Sequence, residues 1–153
     1  MSEEYFDRGI HICVDGGQKN IRKSLVEPLF WCANKLFPKH TLYIDVQLKK
    51  LGTEYLGFCW PTDDNNSRPR EYQIEVNKAL SINDMIKTLF HEMVHVDQYA
   101  RNKLAFRERP VSHRLWLGEV IEEGAVDYWK LPWEVEAFRM QDVLFDEWTN
   151  INR

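Results

Sequence analysis

The spacing of apolar residues changes along this chain from a period of two to a period of 3.6, and that change limits the folds it can adopt. Three segments, 41–47, 54–60 and 71–77, alternate apolar with polar residues or form a short apolar run, which predicts β-strands. From residue 82 to about 101, apolar residues recur every three or four positions, which predicts an amphipathic helix. Separate stretches of both kinds favour an α+β fold.

Local signals predict another helix and two turns. Helical spacing over 20–37 includes Pro28, so this helix is either kinked at the proline or begins near Glu27. The segment KKLGT favours a hairpin between the first two strands. Over 114–129 a hairpin around Glu122–Gly124 is favoured over a helix.

The last helix is predicted from Leu131 onward, because Pro132 suits the first turn of a helix. Ser81 and Asp84 resemble a capping box at the start of the 82–101 helix. The chain, 1–153, is therefore predicted to be a single α+β domain. Its small antiparallel or mixed three-stranded sheet packs against the 82–101 helix, with further helices at both ends.

The composition argues against a nucleic-acid or membrane partner. The 153 residues carry a net charge of −4, so the chain lacks the basic excess that binds a phosphate backbone. No apolar run reaches the ~18 residues of a membrane-spanning helix. The segment MSEEYFDRG lacks the apolar core of a signal peptide. The three cysteines form no CxxC pattern, which argues against disulfides and against a cysteine zinc site. We expect a cytoplasmic protein with free thiols.

The strongest chemical signal is the sequence HEMVH inside the predicted 82–101 helix. His91 and His95 are four residues apart, so their side chains project from one helix face about 40° apart. Two imidazoles at this spacing can hold one tetrahedral zinc ion. Glu92 lies beside them, outside the line of the ligands, where it can take a proton from an attacking water molecule.

A hydrolytic zinc site needs a third protein ligand, and no third histidine follows at the HExxHxxG spacing. The candidates are Glu134 and Glu136 in LPWEVEA and Glu123 in EEGAVDYW. Glu134 and Glu136 differ by about 200° around a helix, so at most one of them faces the metal. We favour Glu134, because Ala137 on the same face lets the two helices approach closely. Glu136 and Glu123 remain open as alternatives.

The segments TLFHEMVHVDQYA, WLG and YWKLPWEVEA together resemble the zincin metallopeptidases of the gluzincin type, especially the small gluzincin and SprT-like peptidases of bacteria and phages. The likeness is firm over residues 85–99 and 128–138 and thinner over the preceding strands. Gluzincins often have an Asp four residues after the ligand Glu, where this chain has Phe138. The resemblance leaves open a phage origin, with the protein then acting in the host cytoplasm.

This resemblance implies a zincin-like fold and zinc-dependent hydrolysis of peptide or protein substrates. His91, His95 and Glu134 would then hold Zn²⁺, and Glu92 would be the general base and acid. Such enzymes bind substrate extended along an edge strand, for which the resemblance points to 71–77. SprT-like proteins often carry a zinc ribbon for DNA contact, and no such cysteine pattern occurs here, so a nucleic-acid partner is not expected.

Other residues are candidates by residue type alone. A second oxyanion donor could be one of His113, Tyr99 and Tyr128. A ligand histidine could be oriented by Gln98 or Asp97. Substrate pockets could be lined by Trp60, Trp116, Trp129 and Trp133, although each of these is more typical of a core. The charged loop 101–113 could cover the site.

Three functions are compatible with the sequence. The favoured one is an active zinc endopeptidase. The second is a zincin-fold module that binds a peptide or partner, turns over little and uses zinc mainly as a structural ion. The third is a metal-free helical domain in which the HEMVH motif is accidental.

Overall fold

The computed structural model describes residues 2–63, 68–106 and 113–152. Within these ranges the chain forms eight strands and three helices: β1 (Ser2–Asp7), β2 (Ile10–Asp15), α1 (Lys19–Leu36), β3 (Leu42–Lys49), β4 (Gly57–Pro61), β5 (Glu71–Asn77), α2 (Ile82–Ala100), β6 (Leu104–Phe106), β7 (His113–Trp116), β8 (Glu119–Glu122) and α3 (Pro132–Ile151). The α+β class is as predicted. None of the described helices is apolar over a sufficient length to traverse a bilayer.

The larger sheet has five strands in the order β1-β2-β3-β5-β4 and is mixed. The pairs β2–β3 and β3–β5 are parallel, whereas β1–β2 and β4–β5 are antiparallel. The predicted hairpin between 41–47 and 54–60 is wrong, because β5 lies between β3 and β4. The prediction that 71–77 forms an edge is also wrong, since β5 is internal and the edge strands among the described residues are β1 and β4.

Burial explains this strand order. Alternate residues of β3 and β5 are buried on one face, and Val46 lies beside Ile74 in the register. Strands with one fully buried face remove more apolar surface from water in the middle of a sheet, where the helices cover them, than at its edge. Strand β4 has one buried residue, Pro61, and a proline is tolerated at an edge.

The predicted three-stranded sheet is wrong, because the larger sheet has five strands and a second sheet has three, and the N-terminal helix also differs in part from its prediction. The hairpin β1–β2 was not predicted, although Ile10, Ile12 and Val14 of β2 alternate and are all buried. Helix α1 begins at Lys19 and continues through a buried Pro28, so a start near Glu27 is wrong. The buried residues of β2 belong to one hydrophobic core together with apolar residues of α1 and α2.

The ends of the remaining elements agree in part with their local signals. Ser81 caps α2, its hydroxyl accepting a hydrogen bond from the Asp84 backbone N–H at 3.2 Å, as predicted. The three cysteines are free thiols. Helix α3 starts with Pro132 in its first turn, also as predicted.

The second sheet, of strands β6, β7 and β8, is antiparallel. Its hairpin turns at Leu117 and Gly118, both with positive φ, because a tight two-residue turn requires that backbone conformation. The predicted turn around Glu122–Gly124 is therefore wrong, and Glu123–Ala125 forms a 3₁₀ turn instead. The predicted loop 101–113 contains β6, and its residues 107–112 lie outside the described ranges.

Gly57 lies where the edge strand β4 packs closely against β5 and α2. A Cβ at this position would lie 2.7 Å from the Glu75 backbone oxygen and 2.9 Å from Thr88 Cγ2. We expect Gly57→Ala to lower the free energy of unfolding by about 1–3 kcal/mol, since β4 would have to move away from α2. Urea denaturation measures this change.

Gly124→Ala is the matched control, because a Cβ there would meet nothing within 4 Å. Its effect should stay within about 0.5 kcal/mol of zero. Equal unfolding midpoints for the two variants would contradict the close packing of β4 on α2.

Candidate metal centre

Helix α2 places two histidines and a glutamate in a buried position between the sheet and α3. His91, Glu92 and His95 are 7%, 4% and 7% exposed. Such polar groups are buried only when they have partners or a function. The partner comes from the first turn of α3, where Glu134 is also buried.

The donor atoms of three side chains converge at one point. His91 Nε2 and His95 Nε2 lie 3.0 and 3.2 Å from the same oxygen, Glu134 Oε1. Donor atoms bound to one tetrahedral zinc at 2.0–2.1 Å are roughly 3.3 Å apart, so this arrangement is close to the size needed. In the described part of the chain, His91, His95 and Glu134 form a group of three metal-ligand side chains that are close enough together to hold one ion.

Each imidazole ring contacts one glutamine side chain through Nδ1, on the side of the ring away from Glu134. His91 Nδ1 lies 2.9 Å from Gln141 Oε1, and His95 Nδ1 lies 2.7 Å from Gln98 Oε1. A carbonyl oxygen only accepts hydrogen bonds, so each Nδ1 carries the proton in this network. Each Nε2 is then the nitrogen that can offer a lone pair to a cation.

The charges of this cluster favour a cation at its centre. Burial alone would raise the pKa of Glu134, but its hydrogen bonds with His91 and His95 outweigh that effect and lower the pKa to about 2. Burial alone would lower the pKa of His95, but Glu134 raises it to about 9. The carboxylate is therefore ionised, and positive charge is stabilised beside it. The donor set and its charge fit a divalent metal ion.

Glu92 has a different environment from Glu134. It lines the adjoining cavity and is not among the three converging donors. Burial raises its pKa, with Glu134 adding to the increase and the two histidines opposing it. A carboxylate with a raised pKa binds a proton more readily near neutral pH, which suits a general base.

The cluster forms the floor of a cavity of about 560 Å³. One wall is the edge strand β4 with the residues before it, including exposed Tyr55 and Leu56. The opposite wall is aromatic: Phe138 packs on His91 with ring centroids 4.4 Å apart, and Trp129 packs on Phe138 at 5.1 Å. Trp129 is 70% exposed, so this wall extends from a histidine of the cluster out to solvent.

The two rival carboxylates, Glu136 and Glu123, are not part of the three-residue cluster. Glu136 accepts hydrogen bonds from Lys103 Nζ at 2.7 Å on both oxygens. Glu123 accepts one from Arg114 Nε at 2.7 Å. Neither joins the His91–His95 cluster, and each forms an ion pair with its own cation.

The other predicted residues divide between the cavity and the rest of the molecule. Tyr99, Tyr128, Trp129 and Trp133 line the cavity, whereas His113, Trp60 and Trp116 are not among its lining residues. Of the two candidates to orient a ligand histidine, Gln98 contacts His95, and Asp97 pairs with Arg101 instead.

Sequence reasoning missed Gln141 and Gly57. Gln141 lies seven residues after Glu134, which is two helical turns and places it on the same face of α3, so its spacing was the available signal. A lone glycine beside a short apolar run was the signal for Gly57.

Comparison with known proteins adds no relative. No protein-family model, curated protein or solved structure matches this chain. What identifies the site is therefore the convergence of His91, His95 and Glu134 beside Glu92.

Proposed function

We propose that this protein is a zinc-dependent metalloendopeptidase with a zincin-like fold of the gluzincin type. The observation that carries the proposal is the convergence of two Nε2 atoms and Glu134 Oε1 beside the buried Glu92 carboxylate. Two imidazoles and one carboxylate form a common ligand set of catalytic zinc, which leaves a position for water. The HExxH spacing and the order of these residues in the chain agree with that assignment.

Glu92 and Tyr128 are the side chains we assign to proton transfer and charge stabilisation. When bound, zinc supplies a Lewis acid that polarises the scissile carbonyl and activates a water molecule. Glu92 accepts the proton of that water and returns it to the leaving amine. Tyr128 lines the same cavity, and burial together with Glu134 raises its pKa. Its hydroxyl therefore keeps its proton and can donate to the developing oxyanion.

The cavity walls support an extended peptide as the substrate. Among the described strands, β4 pairs with β5 alone, so its other edge can form main-chain hydrogen bonds with a peptide. The aromatic wall of Trp129 and Phe138 suits a large apolar side chain. Among the described residues that line the cavity, the cationic Lys or Arg side chain is Arg114 alone, and it is paired with Glu123. A substrate C-terminal carboxylate would thus lack a free cation, which favours cleavage at internal bonds.

The alternative is a zincin-fold module that binds a peptide or partner and in which zinc is mainly structural. It shares the metal site and the cavity with the first proposal and differs in turnover. Hydrolysis therefore distinguishes the two.

Zinc titration and proteolysis together test the proposed function. Metal-depleted protein should bind one equivalent of Zn²⁺ in competition with a chromophoric chelator. The loaded protein should cleave unfolded casein at internal bonds, and cleavage should stop with excess chelator and return with added zinc. Absence of zinc uptake by folded protein would refute the metal site. Zinc uptake without cleavage of any unfolded substrate would favour the binding module.

A further inference from the structure

A line of polar contacts leads from the surface to His95. Lys103 Nζ lies 2.7 Å from both carboxylate oxygens of Glu136. Glu136 Oε1 in turn accepts a hydrogen bond from Gln98 Nε2 at 3.1 Å. Gln98 Oε1 lies 2.7 Å from His95 Nδ1, on the side of the ring away from Glu134. Lys103, Glu136 and Gln98 are outside the ligand set and the proton-transfer groups assigned above.

The orientation of the Gln98 amide makes Nδ1 of His95 a hydrogen-bond donor. Gln98 is fully buried, and its Nε2 donates to the Trp133 backbone oxygen at 3.0 Å as well as to Glu136. If the amide flipped, its oxygen would face two other acceptors and its NH₂ would face Nδ1. The present orientation keeps a proton on Nδ1, which leaves Nε2, the nitrogen that faces Glu134, as the atom that a metal ion would bind in place of a proton.

Lys103 holds Glu136 in the position that this orientation requires. Both side chains are partly exposed, so Glu136 without a cation would be free to turn towards water. Lys103 is itself fixed at a junction of elements. Its backbone N–H donates to the Gln98 backbone oxygen and its backbone oxygen accepts from the Leu117 backbone N–H, each at 2.8 Å. Its Nζ lies 5.4 Å from the centroid of the Trp116 ring. The smaller sheet is thereby connected to the metal centre.

We infer that Lys103, Glu136 and Gln98 act as positioning residues that fix the ring orientation of His95 and keep a proton on its Nδ1, so that Nε2 is the nitrogen available to a metal ion. The part of this inference that concerns metal affinity rests on the proposed function. The part that concerns the His95 ring applies to the metal-free protein as well.

The Lys103→Met variant tests the inference, with Zn²⁺ alone as the probe. We expect its zinc affinity to fall by about 10–100-fold, which is the usual effect of losing an outer hydrogen-bond partner of a metal ligand. Charge alone predicts the opposite sign, since removing a cation near the site should favour Zn²⁺. Lys103→Arg should restore the affinity, because a guanidinium can also pair with Glu136.

Lys35→Met is the matched control, because Lys35 forms another lysine–glutamate pair with α3, to Glu147 at 2.8 Å, outside this line of contacts. Its zinc affinity should equal that of the wild type. Gln98→Met gives a second test at the buried end of the line and should weaken zinc binding at least as much as Lys103→Met. Unchanged or tighter zinc binding in both folded variants would overturn the inference.

The His95 Nδ1–H proton gives a readout that needs no metal. In NMR spectra of the metal-free wild type we expect this proton to be protected from solvent exchange. Lys103→Met should accelerate its exchange, and Lys103→Arg and Lys35→Met should not. If the wild type takes up no zinc, the proposed function fails, yet this measurement still decides the inference. Equal exchange rates in wild type and Lys103→Met would refute it.

Discussion

Glu92→Gln is expected to lower casein hydrolysis by about 10²–10⁴-fold while zinc affinity stays close to that of the wild type. The amide has nearly the shape of the carboxylate but cannot accept the proton of the attacking water. Glu92 is not one of the three converging donors, so its loss removes no ligand. Initial cleavage rates at saturating zinc and chelator competition measure the two quantities.

Glu147→Gln is the control for this variant, because Glu147 pairs with Lys35 at 2.8 Å and is not among the residues that line the cavity. It should keep nearly full activity. Two results would oppose the assigned role of Glu92: substantial hydrolysis by Glu92→Gln, or a loss of zinc binding that parallels the loss of activity.

Glu134→Ala should weaken zinc binding by more than the roughly 10–100-fold caused by losing an outer partner of a ligand. Two imidazoles alone leave the ion without its charged ligand. The wild type at a free zinc concentration 1,000 times its Kd should gain about 4.1 kcal/mol in free energy of unfolding. At the same zinc concentration the variant should gain much less. Urea unfolding with and without Zn²⁺ measures this difference.

Glu123→Ala serves as the comparison, since Glu123 was a rival ligand by sequence and pairs with Arg114 in the structure. It should retain the zinc-dependent gain in stability. A full gain in Glu134→Ala, or its loss in Glu123→Ala, would mean that the third ligand has been assigned to the wrong carboxylate.

Much of the candidate site could be predicted because helical geometry relates residues that are close in sequence. The spacing of His91 and His95 fixes their common face whatever surrounds them. Choosing Glu134 over Glu136 needed only the angle around a helix and a small neighbour, Ala137, which is fully buried in the structure. The Lys103–Glu136 pair could not be predicted, because it depends on how two distant segments pack.

The strand order could be predicted less well for a related reason. The alternation in β3 and β5 identifies each as a strand but contains no information about which strand lies beside it. Sequential strands pair often, so a hairpin was the reasonable expectation for β3 and β4. The structure instead inserts β5 between them, which makes β4 the edge. As a result, the peptide-binding edge in our proposal moves from 71–77 to Gly57–Pro61.

The distribution of burial along α3 has a consequence for how the carboxylate ligand is held. Three of its four buried residues, Trp133, Glu134 and Ala137, lie in the first six positions, and Leu144 is the fourth. Ile151 at its far end is 63% exposed. Fraying of the final turns would therefore have to pass through most of the helix before it disturbed Glu134. Because Glu134 lies at the start of α3, close to Pro132, motion at the C-terminal end of the helix should have little effect on its position.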